Sequence, residues 1–177
     1  MIRPLNSQSD ATKIIRQKII ELSGLSNDRV LNIDSVRGIN LAKIVENSIM
    51  SIDIRDCIIL FQNRQTSSES YSQQIDETSV LTSTMNEFAM TIYGNSSTVL
   101  ANGIAAKILI DINQDDLYDS GIHVIEVSDL QDLTEFKNET MWHRTDFNIV
   151  YDCMYKYECK SYDSFEKIEL KKPIVVD

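Results

Sequence analysis

Glycine and proline are scarce in this chain, five and two among 177 residues. So few glycines leave little room for phosphate-cradling loops. Neither G-x-G-x-x-G nor a Walker-type loop occurs, and G-x-S-x-G and H-E-x-x-H are also missing. The three cysteines, Cys57, Cys153 and Cys159, show no C-x-x-C spacing, and the composition excludes a disulfide scaffold. Only two histidines are present, His123 and His143. Each lies in a strand-like pattern, where a structural role is expected. The longest wholly apolar run, Cys57 to Phe61, is far short of the roughly 18 residues that a membrane span needs. The opening Met-Ile-Arg-Pro-Leu-Asn lacks the apolar h-region of a signal peptide. A soluble protein made in a cytoplasm, without a membrane partner, is the expectation.

Basic charge is also short. There are 27 acidic and 17 basic side chains, a formal charge of −10, with 42% hydrophobic residues and 25% charged. That composition is globular and excludes disorder and collagen, and the length suits one domain, with or without an extension. The imbalance is local. Residues 1–110 hold ten basic and eleven acidic side chains, and residues 147–177 hold five and six. Between Asp111 and Asp146 there are ten acids against Lys137 and Arg144, so this segment alone carries −8. A solvated loop is one reading of such a block, and a negative surface facing a charged partner is the other. Tight nucleic-acid binding is disfavoured, because it rests on clustered Lys and Arg. Asp111, Asn113 and Asp115 have the first three spacings of a calcium loop. The required Gly is Asp116, however, and the bidentate Glu is Ile122, so a helix-to-loop transition is the better reading.

Periodicity divides the chain into elements. Asp10 reads as the N-cap of a helix carrying Ile14, Ile15, Ile19 and Leu22, with Gly24 as its stop. Lys13, Arg16, Lys18 and Glu21 form its solvated or partner-facing side. A second helical pattern runs from Asn40 to Met50, and a short strand from Cys57 to Gln62. Residues 63–79, rich in Ser, Gln and Thr, read as an exposed hairpin loop or arm. A strand then ends at Gly94, with Phe88, Met90 and Ile92 on one side. Asn95 or Ser96 caps a helix whose broad apolar face holds Val99, Leu100, Ile104, Ile108 and Leu109, while Gly103, Ala105 and Ala106 permit close approach. Ile122 to Val127 reads as a strand, followed by an acidic loop with Leu130, Leu133 and Phe136.

The clearest pattern is Met141 to Cys159. Its odd positions include Met141, His143, Phe147, Ile149, Tyr151, Cys153 and Tyr155, and its even positions are largely polar. Alternation this long marks an antiparallel strand with one buried face, and its length implies a bend or an extension beyond the core. Cys153 and Cys159 fall on the core side. The tail from Ser161 keeps a weak alternation through Phe165, Ile168 and Leu170.

The order of these elements points to a family. A leading amphipathic helix ends at Leu-Ser-Gly-Leu, residues 22–25. A strand, turn and helix follow at residues 87–110, with Tyr-Gly at 93–94. A strand after Gly121 leads through Ser-Asp-Leu at 128–130, and Trp-His-Arg-Thr-Asp-Phe-Asn-Ile-Val-Tyr-Asp occupies 142–152. Over residues 10–160 this succession resembles the tail terminator or neck proteins of tailed bacteriophages and related contractile particles. Residues 27–56 and the tail after Ser161 depart from the pattern.

The resemblance implies an α+β fold, an antiparallel sheet with two main helices packed on it. The domain would span residues 1–160, with an extension at 161–177. It implies a structural virion protein without catalysis, cofactor or metal. Six copies would form a ring that caps the tail tube, meets a neck or stopper protein, and lets double-stranded DNA pass. Candidate contacts with neighbouring subunits or partners are Arg144, Trp142, Asp146, Ser67, Tyr71 and Gln74. Arg144 is either an ordinary surface residue or one half of an inter-subunit ion pair. Trp142 should be covered by a helix, the tail or another subunit. Another head–tail joining component, a small cytoplasmic enzyme using Cys57 or a histidine, and a calcium-dependent domain are the alternative readings.

Overall fold

Ser7 opens the first helix, α1 (Gln8–Ser23). Its hydroxyl accepts from the Asp10 backbone N–H at 3.3 Å and donates to the Asp10 carboxylate at 2.9 Å. The cap is therefore Ser7, and Asp10, expected in that role, is its partner one turn in. Gly24, at φ 70°, closes the helix by donating its N–H to the Ile20 carbonyl at 2.9 Å. The computed structural model describes residues 5, 7–35, 45–46, 53–66, 71–76, 79–137 and 139–158. Of the helix expected over 40–50, only Val45 and Glu46 are described, and both are helical. Cys159 and the tail lie outside the described residues.

The strands are β1 (Val30–Asn32), β2 (Ile58–Gln65), β3 (Tyr71–Asp76), β4 (Ser79–Tyr93), β5 (Ile122–Val127), β6 (Gln131–Asp132), β7 (Glu135–Lys137), β8 (Thr140–Trp142) and β9 (Arg144–Glu158). Among the described residues, seven of them form one sheet in the order β1-β2-β4-β9-β5, with β3 on β4 and β6 on β9. Only β1 and β2 run parallel; every other pair is antiparallel. At the centre β4 and β9 pair over fifteen residues, from Ser79 opposite Glu158 to Tyr93 opposite Arg144. β7 and β8 make a separate hairpin.

Alternation assigns the two faces. On β9, Thr145, Phe147, Ile149, Tyr151, Cys153 and Tyr155 are all buried, as their odd positions predict. They meet Ile59, Phe61, Phe88, Met90 and Ile92 in the main core, where Phe61 and Phe88 stack at 4.5 Å. The helices cover this face. On the opposite face a smaller cluster holds Val45, Ile58 and Leu60, with Leu31, Tyr93 and Trp142 packed against it.

Residues 63–79 differ from the sequence expectation. β2 continues to Gln65, and β3 pairs with the distal half of β4, Tyr71 opposite Ser83 and Asp76 opposite Ser79. Backbone pairing along an already formed edge builds this strand without an apolar period to announce it.

Two helices follow β4: α2 (Ser97–Ile108), whose N-cap residue is Ser96, and α3 (Asp111–Asp119). The buried stripe of α2 is Ser97, Leu100, Ala101, Ile104 and Ile108. It is narrower than expected: Val99 and Leu109 lie off it, 67% and 46% exposed. Among the described residues, a Cβ on Gly103 would meet no atom within 4 Å, so no described element approaches there. The unexpected α3 replaces the helix-to-loop transition. On a helix Asp111 and Asp115 share a side while Asn113 points away, so the three cannot converge on one cation. α3 buries Leu117, and its Asp116 receives a 2.8 Å hydrogen bond from Lys18 of α1. Lys18, placed on the solvated side by the sequence pattern, is buried beneath that bond. The fold is α+β, an antiparallel-dominated sheet with α1, α2 and α3 on one face, as expected, with a third helix added.

Candidate functional site

Arg144 begins β9 opposite Tyr93. Two residues along a strand return to the same face, so Asp146 stands beside it. The Arg144 Nε donates to Asp146 Oδ1 at 2.9 Å and its Nη2 to Oδ2, a bidentate pair. The guanidinium also lies 5.9 Å from the centre of the Tyr93 ring. Asp146 holds the Arg144 pKa above its ordinary value, while burial pushes the Tyr93 phenol up. The carboxylate that engages Arg144 is thus one of its own chain.

Trp142 ends β8 and is half-buried against the second-face cluster, so Ile58, Leu60 and Tyr93 of the same chain help to cover it. Trp142, Tyr93, Arg144 and Asp146 gather at one end of the central strands. Tyr71 and Gln74 lie on β3, at the other end of β4. Ten residues of strand separate Ser83, opposite Tyr71, from Tyr93, about 33 Å at 3.3 Å per residue. Ser67 lies outside the described residues. The five described candidates therefore do not form one site.

The acidic segment is a surface. Of its ten carboxylates, nine are exposed, from Asp111, Asp115, Asp116 and Asp119 on α3 to Glu139 at the β7–β8 turn, and Asp146 is half-buried. Asp132 accepts from the Thr134 hydroxyl and backbone N–H, and the hydroxyl bond leads in holding its pKa down.

The β7–β8 hairpin was not foreseen. Alternation from β9 places Met141 on the core side and Trp142 on the other, and Trp142 does pack on the second-face cluster. β8, however, has left the main sheet, so Met141 and its cross-strand partner Phe136 are 46% and 72% exposed. Glu139, at φ 62°, makes the turn. The unbroken odd-position pattern conceals this departure, and the turn-forming Lys137-Asn138-Glu139 is the one sequence signal for it.

Cys57 and Cys153 are buried, and burial pushes both thiols up, away from the thiolate a nucleophile needs. The Cys153 thiol donates to Tyr155 Oη at 2.9 Å and accepts from Asn86 Nδ2 at 3.1 Å. His123 is exposed and lies edge-on to Tyr118, and His143 sits in the link between β8 and β9, its Nδ1 3.4 Å from the Thr134 hydroxyl. Among the described residues no group of three or more His, Cys, Asp or Glu is placed to hold a metal, and no helix is long and apolar enough to cross a membrane.

Comparison with known proteins adds one finding. The profile of a family described as phage neck terminator protein matches residues 14–175, more than nine-tenths of the chain. No curated protein matches the chain at a significant level.

Proposed function

The chain belongs to the phage neck terminator family, and on that premise we propose that it forms the ring, of six copies, that caps the tail tube. A structural role in the neck or tail of the virion follows from the family itself. The ring, its joining to a neck or stopper protein, and the passage of DNA are our reading. So is the absence of catalysis, cofactor and metal.

The observation that carries this reading is the exposed acidic segment of a family member, nine carboxylates held on the surface between Asp111 and Glu139. Facing a lumen, such a surface repels duplex phosphates and denies them the Lys and Arg clusters on which they would stick. At physiological salt this repulsion reaches only about 8 Å, so it acts on DNA inside a narrow opening and not at long range. We assign the β3 edge, with Tyr71 and Gln74, to the tube side.

Negative-stain imaging of the purified full chain, alone and with tail tube protein, tests the proposal. Six-fold rings at the end of tubes are expected. A chain that stays monomeric even with tube protein present overturns it. Labelled protein found elsewhere in the particle would make it another head–tail joining component, a stopper or tail-completion protein.

A further inference from the structure

Among the described residues, exposed apolar side chains include two patches on opposite faces of the sheet. The first is the outer side of the β7–β8 hairpin, where Phe136 and Met141 are cross-strand neighbours and Leu133 stands nearby in sequence, 38% exposed. The hairpin is anchored through Trp142, which packs on the second-face cluster, so its other side faces away from the chain. A two-stranded hairpin is marginal alone, and an aromatic ring 72% exposed on it is costly to leave in water.

The second patch lies over the main core, on the outside of α2. Val99, Gly103 and Ala106 recur at helical spacing along that side, and Leu109 and Ile110 close it, 46% and 52% exposed. Gly103 leaves a notch, since among the described residues nothing lies within 4 Å of where its Cβ would be. The surrounding sequence is nearly uncharged: from Phe88 to Ile110 the single charged residue is Lys107.

We propose, resting on the ring reading above, that the hairpin face of one copy seats on the α2 face of the next copy. The patches lie on opposite faces of one sheet, so they cannot meet within a chain. A contact between two different patches is heterologous, and its repetition closes a ring when the rotation allows. A contact of one patch with itself would stop at a dimer.

Charge selects the same partner. Residues 128–142 hold Asp129, Asp132, Glu135 and Glu139 against Lys137, a balance of −3. Helices α1 and α2 together present Lys13, Arg16 and Lys107 against Asp10 and Glu21, a balance of +1 in a chain of −10, the buried Lys18 being engaged by Asp116 of α3. Copies that repel one another over most of their surface attract where hairpin meets helices. The acidic α3 borders the patch beyond Ile110 and turns a like-charged hairpin toward α1.

The test uses the full chain carrying Phe136→Asp or Ala106→Glu, both exposed positions where a charge is tolerated by the fold. Mass photometry is run alone and with tail tube protein. Each variant should melt as the wild type does and lose ring assembly by at least tenfold in concentration dependence. Mixed in equal amounts, the two should form a two-chain species, because one keeps the helical patch and the other keeps the hairpin. Wild-type-like rings from both variants overturn the proposal and leave the ring reading standing. A mixture that stays monomeric overturns the heterologous contact. Intact rings that no longer hold tube protein would assign the patches to the tube and overturn it as well. A wild-type chain that never self-associates overturns this proposal and the ring reading together.

Discussion

Lys18 ties α1 to α3, and its variants should show a specific non-additivity. Its side chain is 6% exposed, with Nζ at 2.8 Å from Asp116 and 3.5 Å from Glu21, whereas both carboxylate side chains are 62% exposed. The ammonium is therefore the desolvated partner. Removing it returns two carboxylates to water at little cost; removing Asp116 leaves a buried charge with one distant partner. Lys18→Met keeps most of the apolar stem against Ile14 and Leu117, which line the same groove, and should cost about 1 kcal/mol or less. Asp116→Ala should cost about 2 kcal/mol, the lower part of the range for a charge-assisted bond, because the exposed carboxylate is partly screened. Glu21→Ala, one helical turn away at the longer distance, should cost about 0.5 kcal/mol or less. The double variant Lys18→Met with Asp116→Ala has no stranded charge and should match Lys18→Met alone. Urea denaturation followed by circular dichroism measures all four, with a coupling energy of about 1.5–2 kcal/mol expected between positions 18 and 116. Additive costs, or an Asp116→Ala variant no less stable than Glu21→Ala, would refute this account.

Two further outcomes follow from buried groups elsewhere. At Gly94, φ is 133° and an added Cβ would stand 2.7 Å from Cys57 Sγ and 3.2 Å from Cys57 Cα. Gly94→Ala should lower stability by about 2–4 kcal/mol, and adding Cys57→Ala should restore only part, because the backbone contact and the positive φ persist; melting curves of Gly94→Ala, Cys57→Ala and the double variant decide it. Stability should also fall on the alkaline side. Burial leads in raising the thiols of Cys57 and Cys153 and the phenols of Tyr93, Tyr151 and Tyr155. Burial pulls the Lys18 ammonium down, but its Asp116 hydrogen bond and the two carboxylate charges outweigh that and raise it. In every case the folded chain holds a proton that the unfolded chain has released. The loss therefore starts near pH 8.5 with the thiols and steepens above about 10 with the phenols and Lys18, by up to about 1.4 kcal/mol per group per pH unit. A melting temperature that stays level from pH 8 to 11 would contradict it.

Where one buried face repeats with a fixed period, the chain is readable directly. Phe147 to Tyr155 and Phe88 to Ile92 announce their strands by alternation, and Ile122–Val127 has the same bounds in sequence and structure. Elements held by something other than such a face are not. β3 is held by backbone bonds to β4, so its Ser and Gln reveal nothing. α3 buries only Leu117 and is docked by a lysine from 98 residues earlier in the chain. Ser7 and Asp10 are each plausible caps, and only the reciprocal hydrogen bonds distinguish them. Among the candidate contacts, parity puts Arg144 and Asp146 on one strand face, a pairing within the chain that the expectation of a surface arginine or an inter-subunit ion pair did not include. The separation of Tyr71 and Gln74 from them was not legible, because it depends on how far β4 and β9 run together.

The distribution of charge explains why the acidic block does not undermine the fold. From Asp111 to Trp142 the main core receives Leu117, Ile122 and Val124 as its buried apolar residues, so the segment lies around the core more than within it. Repulsion among nine exposed carboxylates is relieved by solvent and salt at that periphery, and it acts mainly on whatever approaches. The neutral stretch from Phe88 to Ile110 supplies the opposite surface, Lys107 its single charge. On the ring proposal, a subunit that sits against its own copies around DNA needs both: a surface that refuses phosphates, and one that like-charged neighbours can approach. This sequence places the two next to each other, and the boundary between them falls at Ile110 and Asp111, where α2 gives way to α3.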